Sequence, residues 1–207
     1  MFSDQDLAVM DLIIKRYPRS RSAIMPLLHY VQSKAGYVTN EGIELIAKLL
    51  TLETAEVSAV ATFYTQYKRK PVGEYHVGVC TNTLCAVMGG DAIFAGLKNH
   101  LGIENDGVTA DGKVSLEHIE CNAACDYAPV VMANWEFYDN QTVESAKDLV
   151  DSMRQGNPTA PTRGPKSLPT WKENSAVLAG INDGRANEGV QAGEPTLLGL
   201  KLAKEGK

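Results

Sequence analysis

Two periodicities divide the chain. Up to about residue 70 the apolar side chains fall at helical spacing. Leu7, Met10 and Ile14 predict one short helix, and Ile24, Leu27, Leu28, Val31 and Ala35 a second that Gly36 closes. Pro26 is tolerated only near a first turn, which puts that helix's start close to Ser22, a suitable N-cap. Ile43, Ile46, Ala47 and Leu50 give a third helix; a fourth begins near Thr54 and carries Val57, Val60, Phe63 and Tyr64. Helices this short cannot each bury a face alone, so residues 1–70 are expected to form a small bundle. The pattern admits a docking module and favours a stabilising cap on the next domain.

Lys68-Arg69-Lys70-Pro71-Val72-Gly73 reads as a solvated junction, and past it the period becomes two. Tyr75, Val77 and Val79 alternate with Glu74, His76 and Gly78 as in a half-buried strand, which ends on Cys80. A polar loop, Thr81 to Leu84, leads to Cys85. Gly89-Gly90-Asp91 opens a helix with Ile93, Phe94, Leu97 and Leu101 on one side, and Gly102 ends it. After a loop at 104–113, a second strand over Val114 to Glu120 again ends on a cysteine, Cys121, and Asn122-Ala123-Ala124 spans to Cys125. Pro129 to Ala133 and Phe137 to Asp139 read as a hairpin. Thr142 caps a last helix with Val143, Ala146, Leu149, Val150 and Met153, stopped by Gly156. The order β-α-β-β-α over 71–155 predicts an α+β domain in which two strand tips deliver cysteines to one edge.

All four cysteines of the chain sit in these two pairs, C-x4-C and C-x3-C. Four thiolates admit zinc or an iron–sulfur cluster. Structural zinc sites favour the tighter C-x2-C knuckle, absent here, whereas longer loops can wrap a [2Fe-2S] rhomb and aim backbone N–H groups at its sulfides. The spacing therefore favours the cluster over zinc, disulfides or unrelated buried thiols. A Rieske centre would need histidines in short motifs with the cysteines, and His29, His76, His100 and His118 lie outside any such pattern. A thioredoxin-type dithiol would need C-x-x-C.

Composition narrows the setting. A net charge of −5 argues against nucleic acid as a partner. No apolar run of about 18 residues occurs, and the polar start Met1-Phe2-Ser3-Asp4 has no apolar h-region, so a cytoplasmic protein without direct membrane insertion is expected. In a reducing compartment paired cysteines are more often metal ligands than disulfides. Neither G-x-G-x-x-G nor a P-loop is present, so hydride chemistry is expected elsewhere.

The runs Val60 to Tyr64 (V-A-T-F-Y), Cys80 to Cys85 (C-T-N-T-L-C), Glu120 to Cys125 (E-C-N-A-A-C) and Ala128-Pro129 resemble, in order and spacing, the E subunits of NADH-quinone oxidoreductase, the thioredoxin-like [2Fe-2S] family of respiratory complex I. The likeness covers about residues 4–155. It implies a thioredoxin-like [2Fe-2S] ferredoxin domain behind the helical bundle, with Cys80, Cys85, Cys121 and Cys125 as ligands of one [2Fe-2S] cluster and no catalytic residue in this chain. It further implies NADH-quinone oxidoreductase subunits F and G as partners, FMN and NADH bound by the partner, single-electron exchange with that flavin, and a place on the inner face of the cell membrane through the complex. Members often carry Leu-Gly where this chain has Asn122-Ala123, so the backbone here forgoes glycine's freedom at positive φ. Asp126 beside Cys125 is expected to favour the oxidised, less negative cluster. The equivalent diaphorase subunit of an NAD-linked hydrogenase or formate dehydrogenase is the alternative within this class, and a zinc-stabilised interaction module the alternative outside it.

From Gly156 on, 13 of 52 residues are Gly or Pro, which predicts an irregular C-terminal extension. Trp171, Val177, Leu178, Leu197, Leu198 and Leu200 exceed what a linker needs, and suggest a partner-binding tail over 156–207 that orders along the flavin-bearing F subunit.

Overall fold

The computed structural model describes residues 2–206. Along the chain run α1 (Asp4–Ile14), α2 (Ile24–Ala35), α3 (Asn40–Leu50), α4 (Thr54–Phe63), β1 (Tyr75–Cys80), α5 (Thr83–Val87), α6 (Gly90–Leu101), β2 (Gly107–Val108), β3 (Val114–Ile119), β4 (Val131–Ala133), β5 (Glu136–Tyr138), α7 (Val143–Arg154), α8 (Trp171–Leu178) and α9 (Glu194–Lys204). Two compact units result. One holds the residues up to Val72 with Trp171–Asp183; the other holds Gly73–Thr170 and the chain from Gly184 onward.

The first unit packs α1 to α4 around Met10, Ile13, Leu27, Leu28, Val31 and Ile46, all fully buried. A capping box starts α1: Ser3 Oγ accepts the Asp6 N–H, and the Asp6 carboxylate accepts the Ser3 N–H. The start of α2 differs from the expectation at Ser22. A 3-10 turn over Ser20–Ala23 leads in, and the residue before the helix is Ala23, which offers no capping side chain. Its end is as the sequence predicts, with Gly36 in the left-handed region at φ +86. In α4, Val57 and Ala61 face the core while Phe63 is 77% exposed, because the helix ends there and the chain turns extended at Tyr64.

The C-terminal extension is more ordered than its composition predicts. Its Trp171 opens α8 and is buried against α2, with the indole N–H donating to the Gly36 carbonyl at 2.7 Å. Gln32, fully buried, is satisfied on all sides: its Nε2 donates to the Gln66 carbonyl and Ser175 Oγ, and its Oε1 accepts the Lys68 N–H. Burial of a large aromatic with its polar atom paired overrides a weak local helix signal.

The second unit is a five-stranded sheet in the order β2-β3-β1-β4-β5. β1 and β3 run parallel, with Val79 opposite His118 and Cys80 opposite Ile119; the other pairings are antiparallel. Helices α6 and α7 pack together against β3, and with Tyr75, Val77, Val79, Leu116, Val131, Leu97 and Val150 they form one core. Ile119, Val130, Met132 and Tyr127 with Cys80 and Cys85 form another. β1 is buried at every position rather than alternately, since it lies in the middle of the sheet with both faces covered. Within residues 71–155 the short β2 inside the 104–113 loop and α5, which begins inside the loop between the first two cysteines, exceed the expected order, and α9 does so in the extension expected to be irregular.

Candidate metal centre

Parallel pairing in register puts the C-terminal tips of β1 and β3 side by side. Cys80 is the last residue of β1, and Cys121 follows β3 by two residues. Cys85 lies within α5, and Cys125 opens a 3-10 turn over Cys125–Tyr127. The two cysteine loops are tied by Asn82, whose Nδ2 donates to the Ile119 carbonyl at 3.2 Å.

Cys80 and Cys85 are buried, whereas Cys121 and Cys125 are exposed. Val130 clamps the inner pair: its carbonyl accepts the Cys80 N–H at 3.1 Å, and its own N–H donates to the Cys85 sulfur. In the outer pair Cys121 Sγ and Cys125 Sγ are 3.7 Å apart, and the Ala123 N–H points at Cys121 Sγ from 3.4 Å. Ala123 reaches that position at φ +54, so an alanine occupies the left-handed conformation that glycine favours.

The thiols form one electrostatic group. Burial pushes the Cys85 thiol up to about 11, the neighbouring Cys80 adding to the effect and the Val130 N–H opposing it; Cys125 also raises it. Cys125 is raised chiefly by Cys121, with Cys80 and Asp126 contributing. Four such sulfurs ionise together only beside a cation, which is the chemistry of a thiolate donor set. Among the described residues no three or more His, Cys, Asp or Glu side chains close around a point as ligands of a single ion. The sulfurs are instead arranged as two pairs, a donor set that would suit two irons rather than one, and backbone N–H groups already point at a sulfur in each pair. The residues present fit that group.

The histidines stand elsewhere in chemistry. His29 is buried against Tyr67, and His76 is buried with Nδ1 3.0 Å from Ser115 Oγ. His100 pairs with Asp151, and His118 lies near the Phe94 ring. Sequence spacing pointed to all four cysteines. It carried no sign of Val130, whose role is played by backbone atoms, nor of Thr196, which contacts Asp126 and Tyr127, the residues after Cys125, from 70 and 69 positions away in the chain.

A sheet whose adjacent parallel tips each deliver a cysteine pair is that of a ferredoxin built on thioredoxin-like architecture. Residues 10–154 match the family model described as thioredoxin-like [2Fe-2S] ferredoxin, and the chain belongs to that family. It is 61% identical over 194 residues to the E subunit of NADH-quinone oxidoreductase from Mycobacterium bovis, covering 93% of this chain and 77% of the relative. To the Rickettsia bellii protein of the same name it is 41% identical over 156 residues, 74% of this chain and 93% of the relative. Its fold is also similar to that of a chain in the crystal structure of NAD+-reducing [NiFe]-hydrogenase in the H2-reduced state, with a TM-score of 0.57 at 18% identity. That likeness covers 65% of this chain and 23% of the hydrogenase chain, and concerns the fold alone.

Proposed function

We propose that the chain is an electron-transfer subunit of an NADH-quinone oxidoreductase, holding one [2Fe-2S] cluster on Cys80, Cys85, Cys121 and Cys125. The observation that carries the reading is the meeting of two cysteine pairs at the tips of β1 and β3. Identity to proteins named as E subunits of NADH-quinone oxidoreductase supports the assembly. A bound cluster supplies reversible one-electron chemistry. The chain's own part is to bury Cys80 and Cys85, which keeps water from half of the site, and to hold N–H donors on sulfur, which favours added negative charge. The exposed Cys121 and Cys125 lie where a partner's redox group can approach.

The partners in this reading are subunits F and G, with FMN and NADH held by the NADH-binding partner and electrons passing singly from its flavin. In the same reading the chain attaches to the inner membrane face through the complex; no described helix is long and apolar enough to cross a membrane. A diaphorase subunit of an NAD-linked hydrogenase is a second reading, favoured by the fold likeness alone; subunits that co-purify with the chain separate the two.

Anaerobic purification tests the site. The expected content is about two irons and two acid-labile sulfides per chain, with an EPR signal on one-electron reduction. One zinc and no sulfide would replace this reading with that of a zinc-stabilised module. Cys121→Ser should abolish the normal spectrum and leave α1 to α4 folded.

A further inference from the structure

The end of the chain comes back to the second cysteine pair. Arg163 fastens the returning segment: its guanidinium lies 3.8 Å from the Phe137 ring and 4.5 Å from the Tyr127 ring, pairs with Asp139 through Nε at 3.0 Å and Nη2 at 3.3 Å, and donates to the Gln191 carbonyl. The Gly164 N–H donates to the Val190 carbonyl at 3.1 Å. Gly193 then donates its N–H to the Tyr127 hydroxyl at 2.6 Å, and a β-carbon on Gly193 would stand 2.6 Å from that same oxygen, so a larger residue there would have to displace the Tyr127 side chain. Within α9, Thr196 Oγ1 donates to the Asp126 carboxylate and lies 3.2 Å from the Tyr127 hydroxyl.

Asp126 and Tyr127 are the two residues after Cys125, in the same 3-10 turn. Every residue on the other side of these contacts, from Arg163 to Thr196, lies beyond residue 154, where the family model ends. The relative from Rickettsia, 93% of it aligned, matches 156 residues, whereas that from Mycobacterium bovis matches 194. The contacts therefore belong to an addition outside the segment that defines the family.

We propose that residues 163–164 and 190–196 form a clasp on the Cys121–Cys125 loop, in which Thr196 and Tyr127 are positioning residues that fix the loop and temper the negative charge Asp126 presents to Cys125. The proposal rests on the ligand assignment above. A hydroxyl donating to a carboxylate draws charge away from its far side. With the hydroxyl in place, the field of Asp126 at Cys125 is weaker, and the reduced, more negative cluster is less disfavoured.

The test is a potentiometric EPR titration of the full-length, cluster-loaded chain. Thr196→Val is expected to lower the midpoint potential and to speed cluster loss to a chelator roughly tenfold, the factor a charge-assisted hydrogen bond represents. Thr196→Ser is expected to restore both, and Asp126→Asn to raise the potential and to remove most of the shift that Thr196→Val causes. A wild-type potential and lifetime in Thr196→Val, or an undiminished shift in the Asp126→Asn background, overturns the proposal. Should the purified chain show no [2Fe-2S] spectrum, the ligand assignment fails separately. The clasp is then judged by amide exchange over residues 121–127, which must be faster in Thr196→Val than in the wild type, equal rates overturning it.

Discussion

Gly90 packs so tightly on Cys80 that a β-carbon at position 90 would lie 2.5 Å from the Cys80 carbonyl oxygen. It would lie 2.9 Å from the Cys85 carbonyl oxygen as well. Both atoms are backbone, so neither can swing aside. Gly90 starts α6, and the helix thereby rests its first turn on the loop that carries the inner cysteine pair.

Gly90→Ala must push the Cys80–Cys85 loop off α6. The expected destabilisation is about 1–3 kcal/mol, the range for overpacking a close contact. Its signature is a cluster lost faster to chelator than in the wild type while helical circular dichroism is retained. A wild-type lifetime would show that the loop does not depend on this contact. Gly89→Ala is the control for close packing: it has φ +113 but open space around its β-carbon position, so strain alone acts there.

Ala123 offers the opposite experiment. At φ +54 it holds a conformation that disfavours an L side chain by about 1–2 kcal/mol, partly offset by glycine's greater entropy when unfolded. Ala123→Gly is therefore expected to stabilise the folded chain by a few tenths to about 1 kcal/mol in urea unfolding. Ala123→Val, β-branched, should destabilise it. A glycine variant less stable than the wild type would mean that the alanine methyl does something the backbone angle does not reveal.

The legible part of this fold was the part with a local signal. Helical spacing identified α1 to α4, α6 and α7, and the strand signal found β1 up to Cys80, which ends it, and β3 to within two residues of Cys121. Cysteine spacing singled out two pairs, and the structure sets the sulfurs of the second, Cys121 and Cys125, 3.7 Å apart. What stayed hidden depends on distant partners. β1 reads as half buried because its His76 and Gly78 look outward-facing by polarity and size, yet His76 meets Ser115 and Gly78 accommodates Ile119. Trp171 was recognisable as too apolar for a linker, but its partner is the Gly36 carbonyl 135 positions earlier, which no window on the sequence contains. The role of α9 is equally non-local. Its leucines at 197, 198, 200 and 202 remain exposed, so no apolar face announces where the helix sits; two hydroxyl contacts do.

Trp171 gives a third prediction. It is 2% exposed in the helical unit, and truncation of a buried aromatic to alanine removes about 3–5 kcal/mol. Trp171→Phe keeps most of the volume and loses the bond to Gly36, with an expected loss nearer 1–2 kcal/mol. Urea unfolding monitored by far-ultraviolet circular dichroism reads both. The contrast with the expected arm along a partner is direct: if Trp171 served only a partner surface, both substitutions would leave the isolated chain as stable as before.

The last prediction concerns acid. His29 lies on α2, 5% exposed, with its ring 4.7 Å from that of Tyr67 and no hydrogen-bond partner for Nδ1. Burial opposes its charged form and lowers its pKa to about 4 from an ordinary value near 6.5. Since the folded value is the lower one, the unfolded chain takes up a proton first as pH falls. The contribution to stability is thus whole above about pH 6.5 and is lost progressively down to about pH 4. The difference is on the order of 3 kcal/mol at one site. Across that window the wild-type chain should lose stability in urea, and the slope should flatten in His29→Phe, which keeps a ring beside Tyr67 and cannot titrate. The His29 resonances should stay those of the neutral ring down to about pH 5, and a titration midpoint at the ordinary histidine value would show that the ring is solvated rather than enclosed.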